Sequence, residues 1–235
     1  MVDTRIVDFV AGAREARGLV VVIDDFRAFS LAAHAMARGA AAIWPVAEIE
    51  TALELKRRHP DAILLGERFA KPLPGFDGGN SPTDLERIDV QGRTIIHTTH
   101  AGTQGLTNAV RAEAVITGAL VNAAAIVDYI REQAPREVTL VRMGQHAIER
   151  CAEDDACADL IAARLRGEER DVAQIRARLR AAPSAAKFFD PVCDWAPERD
   201  FELCTQFDRF DFVLRLDRTR TPATLLKIPV AASTH

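Results

Sequence analysis

Acidic and basic side chains follow directly after the most apolar segment of the chain. Residues 19–23 are all apolar, and Asp24, Asp25 and Arg27 come just after them. A carboxylate at the tip of a buried strand is partly desolvated, so it is paired, bound to a metal or used in catalysis. Arg27 could supply a bidentate fork for a phosphate or a carboxylate. Spacing alone leaves two alternatives open: Asp24 and Arg27 belong to a ligand-binding or catalytic site, or they only form an ion pair with each other.

A second polar segment combines charged residues with glycines. Glu67 and Arg68 end another apolar run, and the glycine-rich stretch 75–82 then contains Asn80 and Ser81. Glycine permits positive φ and close backbone approach, and Ser81 followed by proline is a favourable helix start. A glycine-rich loop that opens onto a helix suits an anion, although the same residues also form ordinary tight turns.

Hydroxyl groups and acids mark two further segments. Thr99, Gly102 and Thr103 join an apolar run to a helical stretch, where hydroxyls and amides suit phosphate. Thr103 could equally serve only as a helix cap. Glu153 and Asp154 lie in an acidic run on a helical stretch. Because neighbours on a helix point in different directions, at most one or two of these acids can face a site.

Several common catalytic motifs are absent from the sequence. It contains no GxSxG elbow, no HExxH, no GxGxxG and no Walker A phosphate loop. Its four cysteines show no Cys-x-x-Cys spacing, which disfavours a zinc site and a disulfide framework. The acid, arginine, hydroxyl and amide groups that remain indicate a Mg²⁺-assisted site for a small, multiply anionic compound.

The elements that must position these groups alternate along the chain. Short apolar runs alternate with alanine-rich helical stretches, which predicts an α/β fold of three α/β/α layers, with a mostly parallel sheet and a helix-rich C-terminal portion. The strands are expected at 19–23, 41–44, 62–66, 94–98, 114–117 and 138–142. The helices are expected at 29–38, 47–58, 102–110, 120–132, 148–166 and 168–181, with a late strand hairpin at 210–216 and 223–228. Ligands bind beyond the carboxyl ends of parallel strands, so the polar segments should converge there.

Length and composition limit the classes of function. The 235 residues are 48% hydrophobic and carry a formal net charge of -4. Such a chain repels nucleic-acid phosphates, and no apolar run reaches the ~18 residues of a membrane span, so neither partner is expected. The N-terminus shows no secretory signal pattern, which predicts a cytoplasmic protein. We expect a single domain over 1–235, with two interleaved α/β lobes (about 1–145 and 146–235) as the alternative.

Six motifs follow one another in a fixed order. They are Ile23-Asp24-x-Phe26-Arg27-Ala28, Gly66-Glu67-Arg68, Gly75-Phe76-Asp77-x-Gly79-Asn80-Ser81-Pro82, Thr98-Thr99-x-Ala101-Gly102-Thr103, Gly118-x-Leu120-x-Asn122-Ala123 and Glu153-Asp154. In residue types and order they closely resemble the motifs of the 2-phosphosulfolactate phosphatase family, the ComB-like proteins. The resemblance covers roughly residues 18 to 165, and the glycine-rich motif is the most specific part of it.

The resemblance implies a Mg²⁺-dependent phosphatase that hydrolyses 2-phospho-3-sulfolactate to 3-sulfolactate and phosphate, a step of coenzyme M biosynthesis. It makes Asp24 a Mg²⁺ ligand or the nucleophile, Arg27 a holder of a substrate anion, and Glu67 a metal ligand or general base. Glu153 and Asp154 complete the metal site or support it. The remaining substrate-binding residues that it implies are Arg68, Asn80, Ser81, Thr99, Gly102 and Thr103.

Three residues depart from the family pattern. Asp25 replaces a usually aliphatic residue, Phe29 a small hydroxyl residue, and His100 an asparagine or serine. An extra acid and a bulky ring could reshape the pocket for a small phosphorylated, sulfonated or carboxylated acid. A phosphatase for another phosphorylated hydroxy acid and a non-enzymatic anion-binding relative therefore stay open as alternatives. A homodimer is also possible, if the alanine-rich stretch 119–130 packs against a second copy.

Overall fold

The computed structural model describes residues 2–231, which contain ten strands in one sheet. The strands are β1 (Asp3–Asp8), β2 (Leu19–Ile23), β3 (Ala42–Pro45), β4 (Ile63–Arg68), β5 (Lys71–Pro72), β6 (Thr94–Thr98), β7 (Ala114–Gly118), β8 (Glu137–Arg142), β9 (Phe212–Asp217) and β10 (Thr224–Pro229). The α-helices are α1 (Phe9–Glu15), α2 (Ser30–Ala37), α3 (Ile49–Arg58), α4 (Pro82–Leu85), α5 (Gly102–Asn108), α6 (Ala123–Gln133), α7 (Ala152–Leu165), α8 (Val172–Arg180) and α9 (Glu198–Cys204). An irregular turn, Asp25–Phe29, and two 3₁₀ segments, Leu120–Asn122 and Pro183–Phe188, connect some of them.

The sheet contains two parallel groups of strands joined by a hairpin. Its order is β1-β8-β2-β7-β9-β10-β3-β6-β4-β5. Strands β1, β8, β2 and β7 pair in parallel, and so do β3, β6 and β4. The hairpin of β9 and β10 lies between the groups and pairs antiparallel with β7 and β3. The predicted α/β fold with a mostly parallel sheet is confirmed, and the late hairpin lies in the middle of that sheet.

Helices cover both faces of the sheet, as strand β2 shows. Its residues Val20 and Val22 belong to the core cluster that includes α1, α2 and α5. The alternate residues Val21 and Ile23 belong to the cluster that includes α6, α7 and α9. A strand buried on both faces needs apolar side chains at every position, which is why the whole of β2 is apolar. The predicted three-layer α/β/α arrangement is therefore confirmed.

The bounds of the predicted elements differ from the structure mainly towards the chain ends. Strand β1 and helices α1 and α9 were not expected from the sequence, because β1 has only two apolar residues, Ile6 and Val7, and both helices have only seven residues. The expected helix 148–166 begins only at Ala152 and ends before Gly167, whose φ of 77° breaks it. Within residues 2–231, no helix is long and apolar enough to span a membrane.

The hairpin reverses the direction of one parallel group of strands relative to the other. Three successive antiparallel pairings, β7 with β9, β9 with β10 and β10 with β3, make β3, β6 and β4 run opposite to β2. In a flat sheet the ends of β2 and β6 would lie at opposite edges. They nevertheless meet, since a Cβ on Gly102, just after β6, would lie 2.7 Å from Asp24 Oδ2, just after β2. The loops that follow strands of the two groups therefore lie side by side, although the strands run in opposite directions.

Helix α5 is held tightly against the sheet at Gly105. A Cβ there would lie 2.5 Å from both Met143 Sδ and Val22 Cγ1. We predict that Gly105→Ala lowers the free energy of unfolding by about 1–3 kcal/mol, because the helix must move away from β2. Urea unfolding measures this, with Thr107→Ala on the exposed face of α5 as the control. Equal stability of the two variants would contradict the close packing.

Candidate active site

One cleft of about 260 Å³ collects most of the sequence-predicted site residues. The loops after β2, β4, β6 and β8, the first turn of α7 and the segment around Pro183–Phe188 surround it. Predicted site residues that line it are Asp24, Arg27, Glu67, Asn80, Glu153 and Asp154. The cleft also receives polar side chains that the motifs did not indicate, namely His100, His146, Ser184, Lys187 and Trp195.

Asp24 lies at the centre of this arrangement. Its carboxylate is bonded to the backbone amides of Ala28 and Gly102. Burial, and after it the nearby charge of Glu67, raise the pKa of Asp24 to about 7. Gly102 therefore contributes its backbone amide. It is a glycine because a Cβ would lie against the Asp24 carboxylate.

Glu67 is held in place by the backbone on both of its oxygens. Oε1 accepts a hydrogen bond from the amide of His100 at 2.7 Å, and Oε2 accepts one from the amide of Ala70 at 2.7 Å. The side chain is buried. Each carboxylate oxygen still has a lone pair that can bind a cation or a proton.

Glu153 and Asp154 both face the cleft from the first turn of α7, where the helix dipole favours negative charge. Asp154 Oδ1 accepts from the amide of Asp25 at 2.9 Å, and Oδ2 accepts from the amide of Gly144 at 2.7 Å. Burial, followed by the charges of Asp24 and Glu153, keeps the pKa of Asp154 well above its usual range. Glu153 accepts a hydrogen bond from the Ser184 hydroxyl.

Arg27 forms an ion pair, but its partner is Asp200 rather than Asp24. The guanidinium Nη1 lies 2.6 Å from Asp200 Oδ2, and both side chains are almost completely buried. The guanidinium also donates to the carbonyls of Trp195 and Ala70. The other oxygen of Asp200 accepts from the Ser81 hydroxyl at 2.9 Å. Arg27 thus ties the loop after β2 to helix α9, and its charge is neutralised inside the protein.

Asn80 reaches the cleft with a defined orientation. Its Oδ1 lies 3.1 Å from Nε2 of His97 on strand β6. Burial, and then the charge of Arg68, lower the pKa of His97 to about 4, so the ring is neutral at pH 7. Since an amide oxygen only accepts, Nε2 carries the proton, and the Asn80 amide group is left to donate to a ligand.

The other predicted substrate-binding residues do not line the cleft, because their polar groups are used elsewhere. The Arg68 guanidinium donates to Thr98 Oγ1 and to the carbonyls of Glu67 and Ala47. Ser81 caps helix α4 by accepting from the amide of Asp84, as its position before proline predicts.

Thr99 and Thr103 bond to each other around the start of α5. The hydroxyl of each accepts from the amide of the other, at 3.1 Å and 3.0 Å. Gly102 lies behind Asp24, and its backbone amide donates a hydrogen bond to the Asp24 carboxylate. These three residues therefore support the wall of the cleft from behind.

The three departures from the family pattern occupy different places. Asp25 is fully buried outside the cleft, with Oδ1 accepting from the amide of Leu120 at 2.7 Å. Phe29 is a core residue. Only His100 lines the cleft, where its ring lies 5.2 Å from that of His146 and 4.7 Å from that of Phe69.

The donor set of the cleft fits a hard divalent cation. Among residues 2–231, no group of three or more His, Cys, Asp or Glu side chains is arranged as a preformed metal cage. Mg²⁺ does not need such a cage, since it commonly uses one or two carboxylates, waters and substrate phosphate. Four carboxylates line the cleft, and Arg27 is already neutralised by Asp200. The uncompensated negative charge favours a cation beside Asp24.

Comparison with known proteins identifies the family of the chain. The model of the 2-phosphosulpholactate phosphatase family matches residues 6–219. The chain belongs to this family. Members of the family are phosphoric monoester hydrolases, so the predicted family and enzyme class are confirmed.

Relatives named probable 2-phosphosulfolactate phosphatase align over most or part of the chain. The protein of Thermotoga petrophila is 33% identical over 205 residues, 82% of this chain and 86% of the relative. That of Thermoplasma acidophilum is 31% identical over 193 residues, covering 82% and 83%. That of Carboxydothermus hydrogenoformans is 46% identical over 111 residues, and this aligned part spans 47% of the chain and 46% of the relative.

The buried Arg27–Asp200 pair provides a stability test. We predict that Asp200→Asn lowers the free energy of unfolding by about 3–5 kcal/mol, because it leaves the Arg27 charge buried without a counterion. Glu198→Gln is the matched control, since Glu198 lies on the same helix and pairs with Arg180 at the surface. If both variants unfold at the same urea concentration, the pair is not essential for the fold.

The low pKa of His97 provides a pH test. Between pH 6.5 and about 4, the unfolded chain binds a proton at this position that the folded chain rejects, so stability falls as the pH falls through this window. We predict that His97→Gln removes up to about 3 kcal/mol of this loss. Urea unfolding at pH 7 and at pH 4 measures the difference. The exposed His59→Gln is the control, and a wild-type pH slope in His97→Gln would refute the assignment.

Proposed function

We propose that the chain is a Mg²⁺-dependent phosphatase that converts 2-phospho-3-sulfolactate and water into 3-sulfolactate and phosphate, in the cytoplasm and as a step of coenzyme M biosynthesis. The observation that carries this proposal is the cleft in which Asp24, Glu67, Glu153 and Asp154 meet. Family membership supports the reaction class, and the names of the relatives support the substrate.

Four carboxylates would hold the metal. Asp24, Glu67 and Asp154 have their orientation fixed by backbone amides, and Glu153 by the Ser184 hydroxyl. Mg²⁺ bound among them would neutralise phosphoryl oxygens as charge develops during P–O cleavage. Without it, the carboxylates would repel a phosphorylated acid.

The chain's own residues bind and orient the ester. The Asn80 amide, fixed by His97, donates to a substrate oxygen at the wall of the cleft that Arg27 also lines. Asp24 lies beside the Gly102 amide and titrates near neutral pH when the cleft is empty. A carboxyl group with this pKa can hold or release a proton during the reaction.

Two routes differ in the role of Asp24. In direct hydrolysis, a water oxygen forms the new bond to phosphorus, the bond to the ester oxygen breaks, and that oxygen gains a proton to give 3-sulfolactate. In the covalent route, Asp24 first takes the phosphoryl group and water then cleaves the acyl phosphate. Rapid acid quench with radiolabelled substrate distinguishes them, because only the second route leaves a hydroxylamine-sensitive phosphate on the chain.

Phosphate release is the direct test of the proposed function. We predict that 2-phosphosulfolactate is hydrolysed with Mg²⁺ and not after chelation, and more efficiently than 2-phospholactate and other three-carbon phospho-acids. Asp24→Asn should lose at least about a thousandfold in kcat, since it removes a charge at the reacting centre. Asp155→Asn is the matched control, because Asp155 follows Asp154 but pairs with Arg142 and Arg150 outside the cleft.

The outcomes separate the alternatives. Hydrolysis of another phospho-acid with better efficiency would replace the substrate and keep the reaction class. No hydrolysis of any of these esters, together with unchanged ligand binding by Asp24→Asn, would refute enzymatic function and favour an anion-binding protein.

A further inference from the structure

Lys187 is the cation of the cleft that has no acidic partner. It lies at the end of the 3₁₀ segment Pro183–Phe188, after the six family motifs, and it lines the cleft. The other full cation there, Arg27, is paired with Asp200. Among residues 2–231, no carboxylate forms an ion pair with Lys187, although four carboxylates line the same cleft.

An aromatic ring and a backbone carbonyl hold the ammonium group in place of an ion pair with an acid. Its Nζ lies 5.1 Å from the ring centre of Phe188 and 3.5 Å from the carbonyl oxygen of Phe26. Phe26 and Phe188 pack edge to face at 5.2 Å, so both partners of the lysine are parts of one buried aromatic cluster. An ammonium has three donors, and these contacts use one weak hydrogen bond and one ring face.

The cleft therefore has two chemically different sides. The carboxylates of Asp24, Glu67, Glu153 and Asp154 suit a divalent cation and, through it, a phosphoryl group. The aromatic side contributes Lys187 and the indole of Trp195, whose buried Nε1 has no hydrogen-bond partner. A buried unpaired N–H is costly, and an anion beside it would satisfy it.

We infer that Lys187 binds an acid group of the substrate that is not transferred, a carboxylate or sulfonate on the carbon skeleton next to the phosphoryl ester. This inference rests on the proposed function and names its substrate class: phosphomonoesters that carry a second anionic group within three carbons. Lys187 is a substrate-binding and specificity-determining residue, and it takes no part in bond cleavage.

Three esters test the inference by kinetics. They are 2-phosphosulfolactate, 2-phospholactate, and propan-2-yl phosphate, which keeps the three-carbon skeleton and the phosphoryl group but has no second acid. Lys187→Met should raise KM for the first two by about tenfold to a hundredfold, the usual effect of losing a charged hydrogen bond, with kcat changed less than about threefold. KM for propan-2-yl phosphate should not change.

Two further variants control for charge and for folding. Lys71→Met removes an exposed lysine that lies 4.9 Å above the Trp195 ring and does not line the cleft, so all its KM values should match the wild type. Lys187→Arg should restore most of the affinity for 2-phosphosulfolactate and 2-phospholactate, provided that circular dichroism and the melting temperature show that it and Lys187→Met fold. An equal rise of KM for all three esters, or no rise, would overturn the inference.

A binding measurement separates this inference from the proposed function. Calorimetry with 3-sulfolactate, which has no phosphoryl group, and with inorganic phosphate, both with Mg²⁺, needs no turnover. Lys187→Met should weaken binding of 3-sulfolactate by about tenfold or more and leave phosphate binding unchanged. If the wild type hydrolyses no ester yet shows this pattern, the subsite stands and the phosphatase function fails. If 3-sulfolactate does not bind to the wild type, or binds equally well to the variant, the subsite fails.

Discussion

Repulsion among four carboxylates in one buried cleft is the constraint on which the site depends. Asp24, Glu67, Glu153 and Asp154 lose water by burial, and each one raises the energy of its charged neighbours. The raised pKa values of Asp24 and Asp154 express this cost directly. Such a cluster is stable only when hydrogen bonds, protons or a cation compensate it, and in this chain backbone amides supply a large part.

The fold places those backbone amides beside the carboxylates. They come from the loops after β2, β4, β6 and β8, and the two parallel groups of strands that carry these loops run in opposite directions because a hairpin separates them. The loops nevertheless lie around one cleft. Gly102 then allows the close approach of Asp24, and Gly105 lets α5 lie flat against β2, so two glycines on one short helix fix the geometry of the site.

Much of this could be predicted from local sequence patterns. A continuous apolar run predicted β2, because a strand buried on both faces leaves no polar position. Serine before proline predicted the start of α4. The rule that ligands lie beyond parallel strand ends led to loops that line one cleft, although it assumed one common strand direction. The inserted hairpin is a long-range pairing, so local patterns could not predict it.

Pairing between distant residues was the second limit. The sequence allowed Arg27 to be a partner of Asp24, but Asp200, which is 173 positions away, competes for the guanidinium and binds it. The spacing of Thr99 and Thr103 is compatible with phosphate binding and with a helix cap, so the sequence could not distinguish the two roles. In the structure both hydroxyls accept hydrogen bonds from backbone amides at the start of α5.

Arg27 and Lys187 have different partners in the cleft because a guanidinium and an ammonium differ in shape. The chain has 26 arginines and four lysines, yet the cation left without an acid in the cleft is a lysine. A free arginine beside four carboxylates would pair with one of them, as Arg27 pairs with Asp200 through its Nη1. An ammonium is a compact point charge that a carbonyl and an aromatic face can hold, as Phe26 and Phe188 do for Lys187. Lys187 therefore keeps its charge without an ion pair in a cleft lined by four carboxylates. An ester with a second acid group next to its phosphoryl group can use the lysine and the carboxylates at once only if a cation joins the carboxylates, which links the choice of substrate to the metal.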